Sequence, residues 1–384
     1  MSEVKKYNIM ENTLQAINEN YVKLPLEEVR RNNVIMKKII WGVVEKMRKN
    51  VLFDKLFSTI YYGGSYYDGL KVGHPDEYDI DMLLVLPKNL AKIVISTVPG
   101  YVHAILTNKE ELARFCESDT NYLDTEKILN WIHGVLTKAL NEFTYDSPHN
   151  IFITYCRAGP AFTLKIRGEI DGFIIVMDID LVTCIKFGSD CWPTGGYRPN
   201  PCLGDGFFFI VPKLPKSVQY HPSRYWRLSF QAQEKSIIHG KEKLKPALKL
   251  LKKMRNTLQQ PIDSYHLKTI VLWEVLENPQ HFSYDKTLSY VFMHILKLYK
   301  EKISKKKIEY FWNKKLNLID NMHDDTYLNI QGRLENIIKQ IDNNPLVIAS
   351  YLLEKDELIE FTKSKIVQEI PVVPPEPESS CIIL

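Results

Sequence analysis

The chain has 384 residues, enough for two lobes that each bury a core. With 45% hydrophobic and 25% charged residues the composition is that of an ordinary globular protein, which excludes fibrous and wholly disordered classes. The formal net charge of +4 identifies no partner, because anion binding depends on how charges cluster and not on their sum. Six cysteines, at 116, 156, 184, 191, 202 and 381, form no CxxC pair and no disulfide framework, so reduced thiols in a cytoplasmic protein are expected. No signal-peptide run or membrane-spanning apolar stretch stands out.

Helix is expected from about Thr13 to Asn50, interrupted at Pro25, with a longer helix opening near Leu26. Val29, Ile35, Ile39, Ile40, Val43 and Met47 recur at helical spacing and mark its core face. Its other positions carry Arg30, Arg31, Lys37, Lys38, Lys46, Arg48 and Lys49, for which a solvated face is the plain reading. A glycine-broken turn follows at Ile60–Leu70, then a strand within Asp76–Pro87. A helix over Lys127–Phe143 precedes two further strands, Ala161–Arg167 and Phe173–Val182.

From about Pro222 the pattern reads as almost continuous helix: Trp226–His239, Lys245–Leu258, Ser264–Glu277, Leu288–Lys300 and Tyr327–Asn343. The fold class is therefore α+β, a mixed-sheet lobe with a long N-terminal helix followed by a helical lobe. The expected division is 1–215, 216–366 and a proline-rich acidic tail over 367–384. A cleft between two such lobes is a common ligand site.

The chemistry lies in two strands. Residues two apart in a strand share a face, so Glu77, Asp79 and Asp81 point one way, and Asp178 and Asp180 repeat the arrangement. Carboxylates in a row on an apolar strand repel each other and resist desolvation unless cations bind them. Two neighbouring strands could bring three of these carboxylates around a pair of hard divalent ions, Mg²⁺ or Mn²⁺, with Asp178 and Asp180 rivals for one place. The alternative is an acidic strand edge that guards against aggregation. Gly63-Gly64-Ser65 stands a dozen residues upstream, where glycines let backbone amides approach a phosphate.

With that spacing the sequence resembles the cyclic GMP-AMP synthase and Mab-21 family of nucleotidyltransferases. The likeness rests on Gly63-Gly64-Ser65 with Glu77-Tyr78-Asp79, and on Asp180-Leu181-Val182 with Cys191-Trp192-Pro193. It continues through Tyr225-Trp226-Arg227-Leu228-Ser229-Phe230, Glu234, Leu248–Lys252 and Ser264-Tyr265-His266-Leu267-Lys268. It spans about Leu14 to Lys315. The resemblance implies that Glu77, Asp79 and Asp180 hold the metals and that Gly63 and Ser65 lie at the nucleotides. Arg227 would recognise guanine with Ser229 and Glu234 nearby, Lys252 and Ser264 would bind phosphates, and Tyr265 would stack on a base with Lys268 beside it.

It implies ATP and GTP as substrates and cyclic GMP-AMP as the product, a second messenger of innate antiviral defence. A linear oligonucleotide synthase and an inactive Mab-21-type scaffold stay open. The family's zinc loop of one histidine and three cysteines is absent, since His239-Gly240 is followed by Lys241–Pro246 without a cysteine. No zinc is expected there, and the departure resembles invertebrate receptors of the family, some of which answer double-stranded RNA. Duplex RNA, or less favourably DNA, is thus expected along Arg30, Arg31, Lys37, Lys38, Lys46 and Lys49, with oligomers forming on it. A second lysine cluster covers Lys302, Lys305–Lys307, Lys314 and Lys315. Cys381-Ile382-Ile383-Leu384 has the C-a-a-X form, and one prenyl group there would give only weak membrane association.

Overall fold

A computed structural model of the chain describes residues 6–108, 112–145, 151–202, 206–215 and 218–364. The tail residue Cys381 lies outside them. In chain order the helices and strands begin with α1 (Glu11–Ile17), α2 (Leu26–Met47), α3 (Val51–Leu56), β1 (Phe57–Gly63), α4 (Gly64–Tyr67), β2 (Glu77–Leu84), β3 (Ala91–Ile95) and β4 (Tyr101–Leu106). They continue with α5 (Thr125–Glu142), β5 (Ile151–Ala158), β6 (Ala161–Ile170), β7 (Phe173–Gly188), β8 (Phe207–Val211), β9 (Trp226–Ser229) and α6 (Gln231–Ile238). The last are α7 (Leu244–Thr257), α8 (Ser264–Glu277), α9 (Leu288–Ser304), α10 (Asp324–Asn343), α11 (Ile348–Leu352) and α12 (Lys355–Lys363). The class is α+β, as the residue pattern predicts.

Two compact units form. One is Leu24–His239 with Glu309–Asn317; the other comprises the described parts of Met1–Lys23, Gly240–Ile308 and Leu318–Leu384. The first holds a sheet ordered β1-β2-β7-β8-β9-β4-β3, with β6 against β7 and β5 against β6. Strand β7 is long enough to pair β6 along its first part and β8 along its last, while β2 runs parallel on its other side. Helix α2 packs on α5, and its Ile35, Met36, Ile39, Ile40, Val43, Val44 and Met47 are all buried, each adding roughly 1.5–3 kcal/mol of apolar burial. Pro25 sets its start, and Asp124 caps α5 by accepting from the amides of Glu126 and Lys127.

One expected helix is corrected. Trp226–Ser229 is strand β9, and helix begins only at Gln231. Trp226 and Leu228 are buried while Arg227 and Ser229 are half-buried, an alternation of period two that pairing with β8 and β4 rewards. Likewise the stretch read as a turn after Ile60 is the end of strand β1 followed by the single turn of α4.

In the helical unit α7, α8 and α9 pack together, and the N-terminal α1 packs on α9. Glu11 of α1 accepts from the amides of Leu288 and Ser289 at 3.1 and 2.7 Å, closing the open first turn of α9. Burial works to raise the Glu11 pKa, but the bonds from Ser289, Gln15 and Leu288 outweigh it and hold the group below its ordinary value. The charge therefore stabilises α9 above pH 4.5, and that contribution is lost as pH falls through the lowered value. Glu11→Ala is expected to cost about 1–2 kcal/mol in urea unfolding at neutral pH, with the gap narrowing in acid.

Candidate active site

The site is one transverse row of the sheet. Gly63 on β1 pairs Asp79 on β2, Asp79 pairs Asp180 on β7, and Asp180 pairs Thr163 on β6. Residues in register on adjacent strands project from the same face, so the row sets Asp79 beside Asp180. Two residues back along β2 and β7, Glu77 pairs Asp178. The Thr163 hydroxyl donates to Asp180 Oδ1 at 2.5 Å and orients that carboxylate. Asp178 is engaged otherwise: Arg167 Nη2 meets its Oδ1 at 2.6 Å. Asp178 is thus ion-paired with Arg167, while Asp180 carries the hydrogen bond from Thr163 and lies in register with Asp79.

Asp79 reaches solvent, yet protein crowds it on most sides. Desolvation, then repulsion from Asp180 and, more weakly, from Glu77 and Asp68, hold its carboxyl above the usual range, with Lys71 opposing. Lys71 Nζ stands 2.5 Å from Glu77 Oε2 and 3.4 Å from Asp76 Oδ1. Asp79 and Asp180 adjoin in the sheet with Glu77 two residues back, and although the ligand oxygens of the three do not all lie within 4.8 Å of one another, their mutual repulsion and donor type suit hard divalent cations bound through oxygen. Glu77, Asp79 and Asp180 fit such ions.

Gly64 is held against this row. Its φ is +70°, a left-handed value, and an added Cβ would stand 1.8 Å from Asp79 Oδ2. At Gly63 a Cβ would meet Gln231 Oε1 at 2.0 Å. Ser65 follows in α4, half-buried. Behind the turn, Gln231 Oε1 accepts from the Gly64 amide at 3.3 Å while its Nε2 donates to Asp81 Oδ2 at 2.8 Å. Asp81 therefore does not join Glu77 and Asp79 in the open: it is 5% exposed. Its pKa is pushed up to about 7 by burial, with bonds to Cys184 and Gln231 opposing and Asp79 adding repulsion. Thr163, Lys71, Asp81 and Gln231 support the acids and the turn, and sequence reasoning missed those roles. Gln231→Leu is expected to lower turnover about tenfold at unchanged fold, read as kcat against circular dichroism, because the turn loses its tether.

The same turn is tied to α2. The Tyr66 hydroxyl donates to Asn33 Oδ1 at 3.0 Å, Tyr67 Oη approaches Met36 Sδ at 3.8 Å, and Trp41 Nε1 donates to Tyr62 Oη at 3.1 Å. Rings of Tyr62, Tyr66, Tyr67 and Tyr78 pack edge to face or tilted between them. Among the basic residues of this region, Arg30 pairs Glu27, Lys49 pairs Glu142, Arg31 lies over the Phe173 ring and Lys38 over that of Tyr145. Lys37 is exposed and Lys46 half-buried.

The base-reading candidates divide between the units. Arg227 lies between the rings of Tyr101 and Tyr310, at 5.2 and 4.7 Å, and Ser229 follows on β9. Glu234, on α6, is buried and accepts from Trp312 Nε1 at 3.0 Å, so its carboxylate faces protein. Lys252 is buried on α7, and Ser264, Tyr265 and Lys268 occupy the first turns of α8, where Asp263 and His266 form a reciprocal cap. The structure thus sets Gly63, Ser65, Glu77, Asp79 and Asp180 along adjoining strands and the turn beside them, keeps Arg227, Ser229 and Glu234 on β9 and α6 of the same unit, and places Lys252, Ser264, Tyr265 and Lys268 on α7 and α8 of the other. Among the described residues no helix is long and apolar enough to cross a membrane.

Residues 66–240 match the Mab-21 protein nucleotidyltransferase domain and residues 243–336 the Mab-21 protein HhH/H2TH-like domain. A cyclic GMP-AMP synthase-like receptor of Aethina tumida is 41% identical over 380 residues, covering 92% of this chain and 94% of that protein. One from Tribolium castaneum is 38% identical over 404 residues, covering 98% and 100%, and one from Nicrophorus vespilloides 32% over 366, covering 89% and 97%. The row of acids, the glycine turn beside it and this near full-length likeness agree: the chain belongs to the Mab-21 nucleotidyltransferase family, among its cyclic GMP-AMP synthase-like receptors.

Proposed function

We propose that this chain joins ATP and GTP into cyclic GMP-AMP when duplex RNA lies along α2, releasing pyrophosphate at each of two transfers. The observation that carries the reading is the sheet row in which Asp79 stands beside Asp180 with Gly64 held against it. Glu77, Asp79 and Asp180 would hold two Mg²⁺ or Mn²⁺ ions, which when bound neutralise the triphosphate and acidify the attacking hydroxyl. The protein's own residues position the reactants. Gly63 and Gly64 let the turn close against Gln231 and Asp79, the Ser65 hydroxyl and the turn's amides would donate to a phosphate, and Thr163 fixes the Asp180 carboxylate. Arg227, with Ser229 beside it, is assigned to base selection, Glu234 to a nucleotide contact made from its buried place against Trp312, and Lys252, Ser264, Tyr265 and Lys268 to phosphate and base contacts of the helical unit.

Activation is assigned to α2 because its Asn33 and Met36 touch Tyr66 and Tyr67, the two residues after Ser65, and its Trp41 touches Tyr62 before the turn. Phosphates held by Arg30, Arg31, Lys37, Lys38, Lys46 and Lys49 would bias that contact, with affinity that falls steeply as salt rises. Labelled ATP and GTP, incubated with long duplex RNA, duplex DNA or neither, test this through chromatography and phosphodiesterase digestion. A cyclic mixed dinucleotide formed with RNA alone is expected. Linear products would overturn the cyclisation, DNA dependence the choice of activator, and equal rates in all three the activation itself. Weak attachment to membranes by a prenyl group on Cys381 is a separate proposal, checked by mass spectrometry of the C-terminal peptide.

A further inference from the structure

A second constellation lies wholly inside the helical unit and has no part in the proposed reaction. Glu274 near the end of α8, His281 in the single 3₁₀ turn Pro279–Phe282 and His294 on α9 each offer one ligand atom within 4.8 Å of the others. Glu274 Oε1 and His294 Nε2 stand 2.8 Å apart, and the two imidazoles stack with ring centroids 4.0 Å apart. Glu274 is 7% exposed and its carboxylate is partnered by His294, a buried acid whose charge a bound cation would offset. The Tyr290 hydroxyl, 2.7 Å from His281 Nδ1, fixes the rotation of that ring, as partners of metal-binding histidines do.

We propose that Glu274, His281 and His294 form a site for a divalent transition ion of the Zn²⁺ type, with solvent as the fourth ligand. Two imidazoles and a carboxylate are borderline donors that favour Zn²⁺ over Mg²⁺. Bonds of roughly 2.0–2.2 Å set tetrahedral ligand atoms about 3.3 Å apart. The Glu274–His294 contact therefore opens by about half an ångström and His281 closes by at most about 1.5 Å, within the reach of side-chain rotation. Binding would clamp the 279–282 turn to α8 and α9, three segments joined at one point.

The test uses the full chain, stripped with a chelator and returned to excess Mg²⁺ to occupy the carboxylate row. Zn²⁺ is then titrated by equilibrium dialysis with elemental analysis, and melting is followed with and without it. The wild type is expected to hold one more tight equivalent than H281A or E274Q, and its zinc-dependent rise in Tm is expected to vanish in both. Y290F is expected to bind roughly 10–100-fold more weakly. Co²⁺ in place of Zn²⁺ should give tetrahedral visible bands without the thiolate charge-transfer absorption that a cysteine site would show. Equal tight zinc in wild type and H281A, or thiolate absorption from the tight equivalent, overturns the proposal.

Discussion

Asp180→Asn is expected to lower nucleotide transfer by roughly 10³-fold or more, and Asp178→Asn to leave it within about threefold. An ion held at the row neutralises transition-state charge worth several kcal/mol, and each 1.36 kcal/mol is tenfold in rate. Asp180 lies beside Asp79 in the sheet and is oriented by Thr163. Asp178 is instead matched to Arg167, with both side chains partly exposed, at 35% and 43% respectively. Such a partly exposed pair contributes about 0–1 kcal/mol, so losing it disturbs little. Single-turnover rates at saturating metal, with the fold checked by thermal melting, separate the two variants. Similar losses in both would mean that the wrong aspartate has been assigned.

Gly64→Ala is expected to reduce kcat about 100-fold or more while the chain stays folded. The φ of +70° costs an L side chain roughly 1–2 kcal/mol, which a two-unit protein tolerates. The methyl group, however, would stand 1.8 Å from Asp79 Oδ2, so either the turn or the carboxylate must move by more than an ångström. A misplacement of about 1 Å at a reacting centre is enough for a 10²-fold loss. Gly73, whose φ is also positive but whose Cβ would meet nothing within 4 Å, serves as the control: Gly73→Ala is expected to leave kcat near wild type.

The acids were legible because a strand's period of two announces itself. Glu77 and Asp79 alternate with buried Tyr78 and Ile80, and Asp178 and Asp180 with buried Met177, Ile179 and Leu181. The glycine turn was legible from residue type alone. What local pattern cannot hold is register. That Asp79 neighbours Asp180 depends on parallel pairing of strands about a hundred residues apart, and that Asp178 meets Arg167 depends on β6. The fate of Asp81 depends on Gln231, 150 positions away. Strand β9 was misread for the same reason: four residues are too short to show a period, and the helix after them lent them its pattern. Helices α7 to α10 were read nearly to their ends because each spans several turns.

Crystals of the full chain with Mn²⁺ and a triphosphate whose α–β bridge resists cleavage offer the most direct check, through the anomalous signal of the metal. Two peaks are expected, shared among the carboxylates of Glu77, Asp79 and Asp180 and in contact with the triphosphate. Density at Asp178 in place of Asp180, or triphosphate bound with no metal on Asp79, would contradict the assignment of this row as the reaction centre.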